Sequence, residues 1–394
     1  MLKAAPFPSF VKYMGSKSKI IDFVIEGINE VREPRDAVLD LFAGSATLAG
    51  AIGRQVNFRS NDIQAYSAVL SKAYASSWKG EGTPSAKTIF DRASNIVADV
   101  RLAAEDSIFS YANEISLKEF NRIEAIQREL LEREFFHGWH LFLKNYSGTW
   151  WSAEQCLWID AIREVAEEYR HDSAYDAILA ALMFAMAYCS QGTGHYAQYR
   201  DANSESSLKD ILIYRRRDLP SYFVRKYEEA LDALPSSNVG FDFSASTKDY
   251  SQCLKDFEGG LVYADPPYCF VHYSRFYHAI ETLVLYDYPE LQVRGGNIVK
   301  GRYRVERHQS PFSIASQVEG AFERLFQGVQ GGNSRLVLSY SNTGMIELER
   351  MSEIAADIFI NRSIELLTMD HQHMTLGRTG IRHRDVKECL LLVK

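Results

Sequence analysis

A chain of 394 residues, of which 46% are hydrophobic, has enough apolar material for one large core or two smaller ones, so one to three domains are expected. Its five cysteines lie far apart and form no CxxC pair, which argues against a disulfide framework or a cysteine zinc site and favours the reducing cytoplasm. The formal net charge of −7, from 44 basic and 51 acidic residues, argues mildly against a nucleic-acid partner.

The chain begins with a βαβ pattern. Ala37 to Phe42 (AVLDLF) is predicted to be a strand, and it ends in the small-residue turn Ala43 to Ala46 (AGSA) before a helix-like segment. A second short strand is predicted at Phe58 to Asp62. This order of elements is typical of a parallel α/β sheet.

Residues 76–237 have a helical pattern instead. Capping boxes at 116–119 and 152–155 each precede apolar residues at helical spacing. The stretch Ala174 to Cys189 is apolar nearly all round, which predicts a buried helix, and its most apolar part is too short to span a bilayer. The amino terminus lacks an apolar leader, so a soluble protein that does not bind membranes is expected.

Strand patterns return in the last third of the chain. The predicted strands are Val239 to Phe243, Leu261 to Ala264, Leu336 to Ser341, Ile364 to Met369 and Lys387 to Val393. The simplest architecture is therefore an α/β fold, in which the two halves of a parallel sheet are separated in sequence by a mostly helical insertion.

The carboxyl ends of parallel strands are where ligands bind in such sheets. The first predicted strand presents Asp40 and the turn that follows it, and the second presents Asp62. An acidic residue about twenty positions beyond a small-residue turn suits the ribose hydroxyls of an adenosine-containing cofactor. The glycine series that binds a pyrophosphate is missing, which favours an adenosyl cofactor without phosphates over NAD. Alternatively, the turn only packs a helix against the sheet.

The segment Asp265 to Tyr268 (DPPY) directly follows another predicted strand. Both prolines fix φ and lack an N–H, and Pro267 also restricts Pro266, so the backbone here is stiff. The Asp265 carboxylate and the Pro266 carbonyl are then two acceptors in fixed relation beside an aromatic ring. This arrangement suits the exocyclic amine of a nucleobase. The alternative is that Asp-Pro only begins a turn.

Three motifs together carry a family resemblance: Lys12 to Lys17 (KYMGSK), Asp40 to Ala46 (DLFAGSA) and Asp265 to Tyr268, in this order. The chain resembles the Dam-like, D12 class (group α) S-adenosylmethionine-dependent DNA adenine-N6 methyltransferases. The resemblance implies a Rossmann-like methyltransferase sheet, mostly parallel with an antiparallel C-terminal strand. It also implies a catalytic domain at residues 1–75 and 238–394 and a helical target-recognition domain at 76–237.

The resemblance also assigns roles to individual residues. It implies that Asp265, Pro266, Pro267 and Tyr268 are catalytic. The residues that it places against S-adenosylmethionine are Tyr13, Lys17, Asp40, Phe42, Ala43, Gly44, Ser45, Ala46, Asp62, Asp249 and Tyr250. Ala46 departs from the family, which usually has a glycine there. If this position needs a positive φ, alanine is strained, and the affinity for the cofactor is the property affected.

The implied reaction is direct methyl transfer to adenine N6. Asp265 and the Pro266 carbonyl would bind the amino hydrogens and make the nitrogen more nucleophilic, while Tyr268 stacks on the base. Because a paired base cannot reach a cofactor, the target must be flipped out of double-stranded DNA. Protein–DNA contacts must offset the energy of unstacking.

Candidates for those contacts lie in two aromatic loops, at 193–201 and 272–278, and in basic segments that suggest one positive face despite the acidic total. The predicted DNA-binding residues are His195, Tyr196, Gln198, Tyr199, Arg200, Tyr273, Arg275, Lys300, Arg302 and Arg304. Two further basic groups are the triple Arg215 to Arg217 and the set Arg378, Arg382, Arg384 and Lys387. Internal packing or solvated surface is the alternative for each group.

Other functions remain open. Methylation of RNA adenine or of cytosine N4 uses similar motifs, although cytosine enzymes more often begin the tetrapeptide with serine. A catalytically silent DNA-binding subunit is the alternative from another class. No metal is predicted, because neither His137 with His140 nor His371 with His373 has a convincing third ligand. The resemblance suggests a restriction-modification, defence or solitary methylase, with restriction or defence proteins as further partners and a monomer favoured.

Overall fold

The structure, a computed structural model, describes residues 1–102, 109–192, 195–237, 240–268, 270, 272–372 and 385–394. The strands, numbered along the chain, are β1 (Val38–Asp40), β2 (Phe58–Asn61), β3 (Phe243–Ser246), β4 (Leu261–Ala264), β5 (Val293–Arg294), β6 (Asn297–Ile298), β7 (Arg335–Ser341), β8 (Ile364–Gln372) and β9 (Asp385–Val393). Seven of them form one sheet in the order β3-β2-β1-β4-β7-β9-β8, and β5 pairs with β6 in a separate hairpin.

The large sheet is parallel except for one strand. β3, β2, β1, β4 and β7 are parallel to one another, whereas β9 is antiparallel to both β7 and β8. The α/β prediction, with a mostly parallel sheet and an antiparallel C-terminal strand, is confirmed. As a consequence, the carboxyl ends of the other six strands and the amino end of β9 lie at the same edge.

Within the described residues, fifteen α-helices surround the sheet and fill the stretch between β2 and β3. They are α1 (Ile21–Val31), α2 (Thr47–Ile52), α3 (Ala65–Ala75), α4 (Ala86–Leu102), α5 (Leu117–Glu129), α6 (Leu141–Tyr146), α7 (Ala153–Glu167), α8 (Tyr175–Cys189), α9 (Glu205–Arg215), α10 (Leu219–Ala233), α11 (Tyr250–Lys255), α12 (Tyr273–Phe276), α13 (His278–Leu285), α14 (Val318–Gly331) and α15 (Leu348–Ile358). Both predicted caps form: the Ser116 side chain accepts from the Glu119 N–H, and Ser152 with Gln155 closes a full capping box.

Alternate residues of each central strand enter different cores. Val38 of β1 packs with α1, α3 and the helices of residues 86–233 in one cluster of buried side chains. Leu39, its neighbour, packs with α11, α14 and α15 on the other face. The period of two in β-strands explains this division. One core therefore joins the sheet to the predicted helical insertion, whose helix α8 is buried on nearly all sides.

Two details differ from the sequence prediction. The strand predicted at Val239 to Phe243 begins only at Phe243, where Phe58 pairs with it in register. The hairpin of β5 and β6 was not predicted, because its strands are two residues each and exposed, without an apolar run. Arg378, Arg382, Arg384 and His373 lie outside the described residues.

None of the helices in the described part of the chain is both long enough and apolar enough to cross a membrane.

Candidate active site

The three motifs meet in one cleft at the edge where the parallel strands end. The cleft encloses about 1180 Å³, including its open mouth. Among the predicted site residues, those that line it are Tyr13, Lys17, Asp40, Phe42, Ala43, Gly44, Ser45, Asp62, Asp249, Tyr250, Asp265, Pro266, Pro267, Tyr268 and Tyr273. Ala46 is fully buried behind the wall of the cleft. The topology explains the convergence, because β1, β2 and β4 are neighbours that end at one edge.

The turn after β1 is held by backbone geometry. Gly44 has a φ of +52°, and its N–H donates to Asp62 Oδ2 at 2.8 Å, which ties the turn to the end of β2. Ala46 has a φ of +57° as the residue before α2. A non-glycine residue in this left-handed conformation costs about 1–2 kcal/mol. The condition for strain at Ala46 is therefore met, and its effect on cofactor affinity stays a prediction.

Two carboxylates face the cleft beside this turn: the half-buried Asp62 and the buried Asp40. Burial raises the pKa of Asp62 above its usual value. Hydrogen bonds that Asp62 accepts from the Gln64 and Gly44 N–H groups offset part of this shift. Asp40 is only 2% exposed, and its Oδ1 has no hydrogen-bond partner among the described residues. Burial, together with the nearby Asp265 and Asp62, raises the pKa of Asp40 well above its usual value. These acceptors suit hydroxyl or cationic groups of a bound ligand.

The amino-terminal motif forms another wall of the cleft. The Tyr13 ring stacks on Tyr277 at 4.5 Å between centroids and on Tyr273 at 5.7 Å. Ser16 Oγ hydrogen-bonds Thr47 Oγ1 at 3.2 Å, which fastens the motif to the start of α2. The aromatic stack and this bond hold residues 13–17 against the turn after β1.

Asp249 and Tyr250 lie on the third side of the cleft, at the start of α11. Asp249 caps this helix by accepting from the Ser251 N–H at 2.9 Å. The Tyr250 ring packs against Phe42 at 5.7 Å and against Phe312 at 5.2 Å. The Asn61 side chain bonds both the N–H and the C=O of Lys248, so the end of β2 fixes the segment that carries Asp249.

The tetrapeptide after β4 places Asp265 among charged groups. Lys17 Nζ lies 3.1 Å from Asp265 Oδ1 and 3.3 Å from Glu388 Oε2. Burial raises the pKa of Asp265 to about 6; the Lys17 ammonium opposes this shift and Glu388 adds to it. Although burial alone would lower the pKa of Lys17, its two carboxylate partners raise it. Asp265 Oδ1 accepts no well-directed hydrogen bond from the described residues, so it keeps capacity for a further donor.

Tyr268 stands beside this cluster. Its ring packs edge-on against Tyr340 at 5.9 Å, and Lys17 Nζ lies 5.0 Å from its centroid. The Tyr268 hydroxyl donates to Glu388 Oε1 at 3.4 Å. The ring is half-buried, and it lines the cleft next to Asp265.

Glu388 belongs to none of the motifs that predict the site. It lies at the amino end of β9 opposite Ser341, and it is only 2% exposed. Because β9 is antiparallel, its beginning reaches the edge at which the parallel strands end. The sequence feature that could have indicated Glu388 is its position as the one carboxylate in the mostly apolar segment VKECLLLV of the last strand.

The predicted DNA-binding residues divide by environment. Tyr196 is 3% exposed, with its ring 5.2 Å from Trp151, and His195 stacks on Phe276 at 4.6 Å. Gln198 is exposed, and the half-buried Tyr199 packs edge-on against Trp150. Tyr196 therefore belongs to the packed interior.

The predicted basic residues also differ in their partners. Arg200, Lys300 and Arg304 form ion pairs with Asp210, Asp201 and Asp287, respectively. Arg302 is 7% exposed, and burial lowers its pKa. Arg215 is also buried, in an ion pair with Glu124 at 2.7 Å. Arg275 is half-buried and has no carboxylate partner among the described residues.

The histidine pair His137 and His140 is used within the protein. His137 Nε2 lies 2.8 Å from Glu164 Oε2, and His140 stacks on Phe135 at 4.8 Å between centroids. Within the described ranges, no group of three or more His, Cys, Asp or Glu side chains is arranged to hold a metal ion.

Comparison with known proteins agrees with the resemblance of the motifs. Residues 13–327 match the family model for D12 class N6 adenine-specific DNA methyltransferases. Modification methylase LlaI of Lactococcus lactis subsp. lactis is 22% identical over 377 residues, which cover 94% of this chain and 53% of that protein. Type II methyltransferase M.FokI of Planomicrobium okeanokoites is 24% identical over 359 residues, or 87% of this chain and 46% of that protein.

A shorter relative matches over most of its own length. Type II methyltransferase M.NlaIII of Neisseria lactamica is 24% identical over 358 residues, which cover 87% of each protein. By contrast, the chain spans about half the length of LlaI, M.FokI and the modification methylase StsI of Streptococcus sanguinis. Because the family model covers most of the chain and spans the three motifs from Tyr13 onward, the chain belongs to the D12 class N6 adenine-specific DNA methyltransferase family.

Proposed function

We propose that this chain is a site-specific DNA methyltransferase (adenine-specific), which transfers the methyl group of S-adenosylmethionine to N6 of an adenine flipped out of duplex DNA. The observation that carries the proposal is the shared cleft: Asp265 to Tyr268, the turn after β1 and residues 13–17 line one cavity. The names of the relatives further support a role as the modification enzyme of a restriction-modification system.

The residues on the β1–β2 side of the cleft fit the cofactor. Asp40, with an unpartnered buried oxygen, suits the cationic amino group, and Asp62 suits the ribose hydroxyls. The aromatic pair Phe42 and Tyr250 offers apolar surface for the adenine ring. When bound there, S-adenosylmethionine supplies a methyl group on a positively charged sulfur.

The residues after β4 orient the methyl acceptor, which is N6 of the target adenine. Asp265 and the Pro266 carbonyl bind the two amino hydrogens of the target adenine, which orients N6 and raises its electron density. Tyr268 stacks on the extruded base and replaces part of the stacking that it loses on leaving the duplex. Once N6 carries the methyl group, the ionised Asp265 is the nearest base of this set to receive the departing proton.

Ionisation of Asp265 predicts how the rate depends on pH. Because the pKa of this carboxyl is raised to about 6, it is protonated below that value and loses its charge as an acceptor. We expect kcat/KM for DNA to rise as pH increases through about 6 and to level off above it. A pH series of initial rates, with cofactor and DNA binding measured at each pH, checks this. A rate that is constant between pH 5 and pH 7 would contradict a requirement for ionised Asp265.

A pair of arginines near the mouth of the cleft supports DNA binding. Arg275 and Arg307 flank the Tyr303 ring, with guanidinium carbons 4.8 and 5.1 Å from its centroid. Neither arginine has a carboxylate partner among the described residues. Burial lowers the pKa of Arg307, and repulsion from Arg275 lowers it further. His272 and His308 line the cleft next to these arginines. Burial lowers the pKa of His272, and the positive charges of Arg307 and Arg275 lower it further.

Two neighbouring cations without carboxylate partners repel each other, and a bound anion relieves this repulsion. We propose that Arg275 and Arg307 bind phosphates next to the flipped nucleotide, whereas Arg200, Lys300 and Arg304 are already neutralised by aspartates. The buried Tyr196 and Arg302 are left out of this surface, and the exposed Gln198 is a further candidate for a polar contact.

Substitution of the arginine pair tests this surface. Arg275→Ala and Arg307→Ala are each expected to weaken binding to duplex DNA about tenfold and to reduce the slope of log affinity against log salt by about one. Arg200→Ala is the matched control, because its charge is paired with Asp210. Fluorescence anisotropy at several salt concentrations measures both quantities. A larger loss for Arg200→Ala than for either member of the pair would contradict the assignment.

Calorimetry separates an enzyme from a silent DNA-binding subunit. Titration of the protein with S-adenosylmethionine should show binding at about one site per chain, and the Asp62→Ala variant should bind several-fold more weakly. Duplex DNA binding without any cofactor binding would instead favour the silent subunit.

A further inference from the structure

The ammonium of Lys17 is shared between two carboxylates, those of the half-buried Asp265 and the buried Glu388. It lies 3.1 Å from Asp265 Oδ1 and 3.3 Å from Glu388 Oε2, and the three side chains are 8%, 17% and 2% exposed for Lys17, Asp265 and Glu388. The two distances differ by little, so neither partner alone fixes the position of the ammonium.

This arrangement bears on the proposed function, on which the present inference rests. For methyl transfer to adenine N6, Asp265 must accept a hydrogen bond from the amino group of the base. An ammonium that stays 3.1 Å from Oδ1 withdraws electron density from the carboxylate and so weakens it as an acceptor. Asp265 is therefore a better acceptor for the base when the Lys17 ammonium lies closer to its other partner, Glu388.

Glu388 provides the second position. Its Oε2 already contacts Lys17, and its Oε1 accepts from the Tyr268 hydroxyl at 3.4 Å, so the carboxylate is aligned by the tetrapeptide itself. Glu388 belongs to β9, a strand paired on both sides, and therefore has a rigid backbone. A movement of Lys17 toward Glu388 keeps the ammonium paired and close to the Tyr268 ring, which lies 5.0 Å away.

We propose that Glu388 is a positioning residue that holds the Lys17 ammonium while the target base occupies the site, and so leaves the Asp265 carboxylate free to accept from the amino group. Lys17 then acts as a movable counter-ion: it neutralises Asp265 in the empty site and pairs with Glu388 in the filled one. No covalent step and no proton transfer is involved in this exchange.

The variant Glu388→Gln tests the role. Its amide keeps the shape of the side chain and can still accept from Tyr268, but it cannot retain the ammonium against Asp265. We expect kcat on PCR-amplified, unmethylated DNA of mixed sequence to fall about 10- to 100-fold, with the KM for S-adenosylmethionine changed less than about threefold. Glu365→Gln is the matched control, because Glu365 lies on the neighbouring strand with its side chain 43% exposed and paired with Lys394, and it should leave kcat unchanged.

A second background distinguishes positioning from a general structural loss. In Lys17→Met protein no ammonium remains to be held, and Glu388 then only repels Asp265 across the site. Adding Glu388→Gln to Lys17→Met is therefore expected to leave kcat unchanged or to raise it, whereas the same change in the unaltered protein lowers it. Thermal unfolding of the unaltered protein, the two single variants and the double variant shows whether each is folded at the assay temperature.

The outcomes separate the two proposals. If the unaltered protein methylates DNA and Glu388→Gln lowers kcat equally in both backgrounds, Glu388 has a structural role only and the inference is wrong. Full activity of Glu388→Gln overturns it as well. If the unaltered protein transfers no methyl group to DNA, the proposed function is overturned and this inference with it.

Discussion

Replacing Asp265 by alanine or asparagine is expected to lower the rate of methyl transfer by about 10³-fold. The side chain supplies one of the two acceptors that orient the amino group, and an asparagine of the same shape presents either a weaker acceptor or a repelling donor. Cofactor and duplex binding should change less than about threefold, because the groups proposed for both lie elsewhere in the cleft.

The structure favours a folded Asp265 variant. Lys17 keeps Glu388 as its ion-pair partner at 3.3 Å, so the substitution leaves no buried cation alone. Asp256→Ala, which removes an exposed aspartate paired with Lys248, is the control for loss of a carboxylate. Single-turnover transfer of a labelled methyl group measures the effect. Retention of more than about a tenth of the rate in both Asp265 variants would refute the assigned role.

The second large effect is expected at Tyr268. Alanine removes the ring that is proposed to stack on the extruded adenine, and because stacking contributes about 1–3 kcal/mol per base, kcat/KM should fall about 10- to 100-fold. Phenylalanine keeps the ring and loses only the 3.4 Å hydrogen bond to Glu388, so its effect should stay below about fivefold.

Comparison of the two Tyr268 variants decides between stacking and hydrogen bonding. Duplexes that carry 2-aminopurine at the target position report base flipping by fluorescence once a methylated site has been mapped. Equal losses for alanine and phenylalanine would show that the hydroxyl, and not the ring, is the important group.

Local patterns are sufficient to predict most of the sheet and three walls of the cleft. Apolar runs locate the strands, and because ligands bind where parallel strands end, Asp40, Asp62 and Asp265 are expected to lie at one edge. The motif order predicts the family, which the family model confirms. The sequence shows that Ala46 would be strained if its φ were positive, but only the folded structure shows that φ is positive.

Long-range contacts account for what the sequence did not predict. Glu388 enters the site because β9 is antiparallel, which brings this residue beside Asp265 although it lies 123 positions further along the chain. Residue type alone made Tyr196 and Arg304 suitable for DNA, but Trp151 covers the first and Asp287 neutralises the second. The difference between Arg304 and Arg275 is the presence of a carboxylate partner, and only the folded chain determines it.

The product of the reaction tests the central claim most directly. PCR-amplified duplex DNA of mixed sequence, and RNA of the same sequences, would each be incubated with the protein and S-adenosylmethionine, digested to nucleosides and analysed by mass spectrometry. We predict N6-methyldeoxyadenosine from the duplex, dependent on the cofactor and lost with Asp265→Ala. The account would be contradicted if the product were N4-methylcytosine or if only RNA were methylated. It would also be contradicted if a protein that binds S-adenosylmethionine and duplex DNA gave no methylated nucleoside.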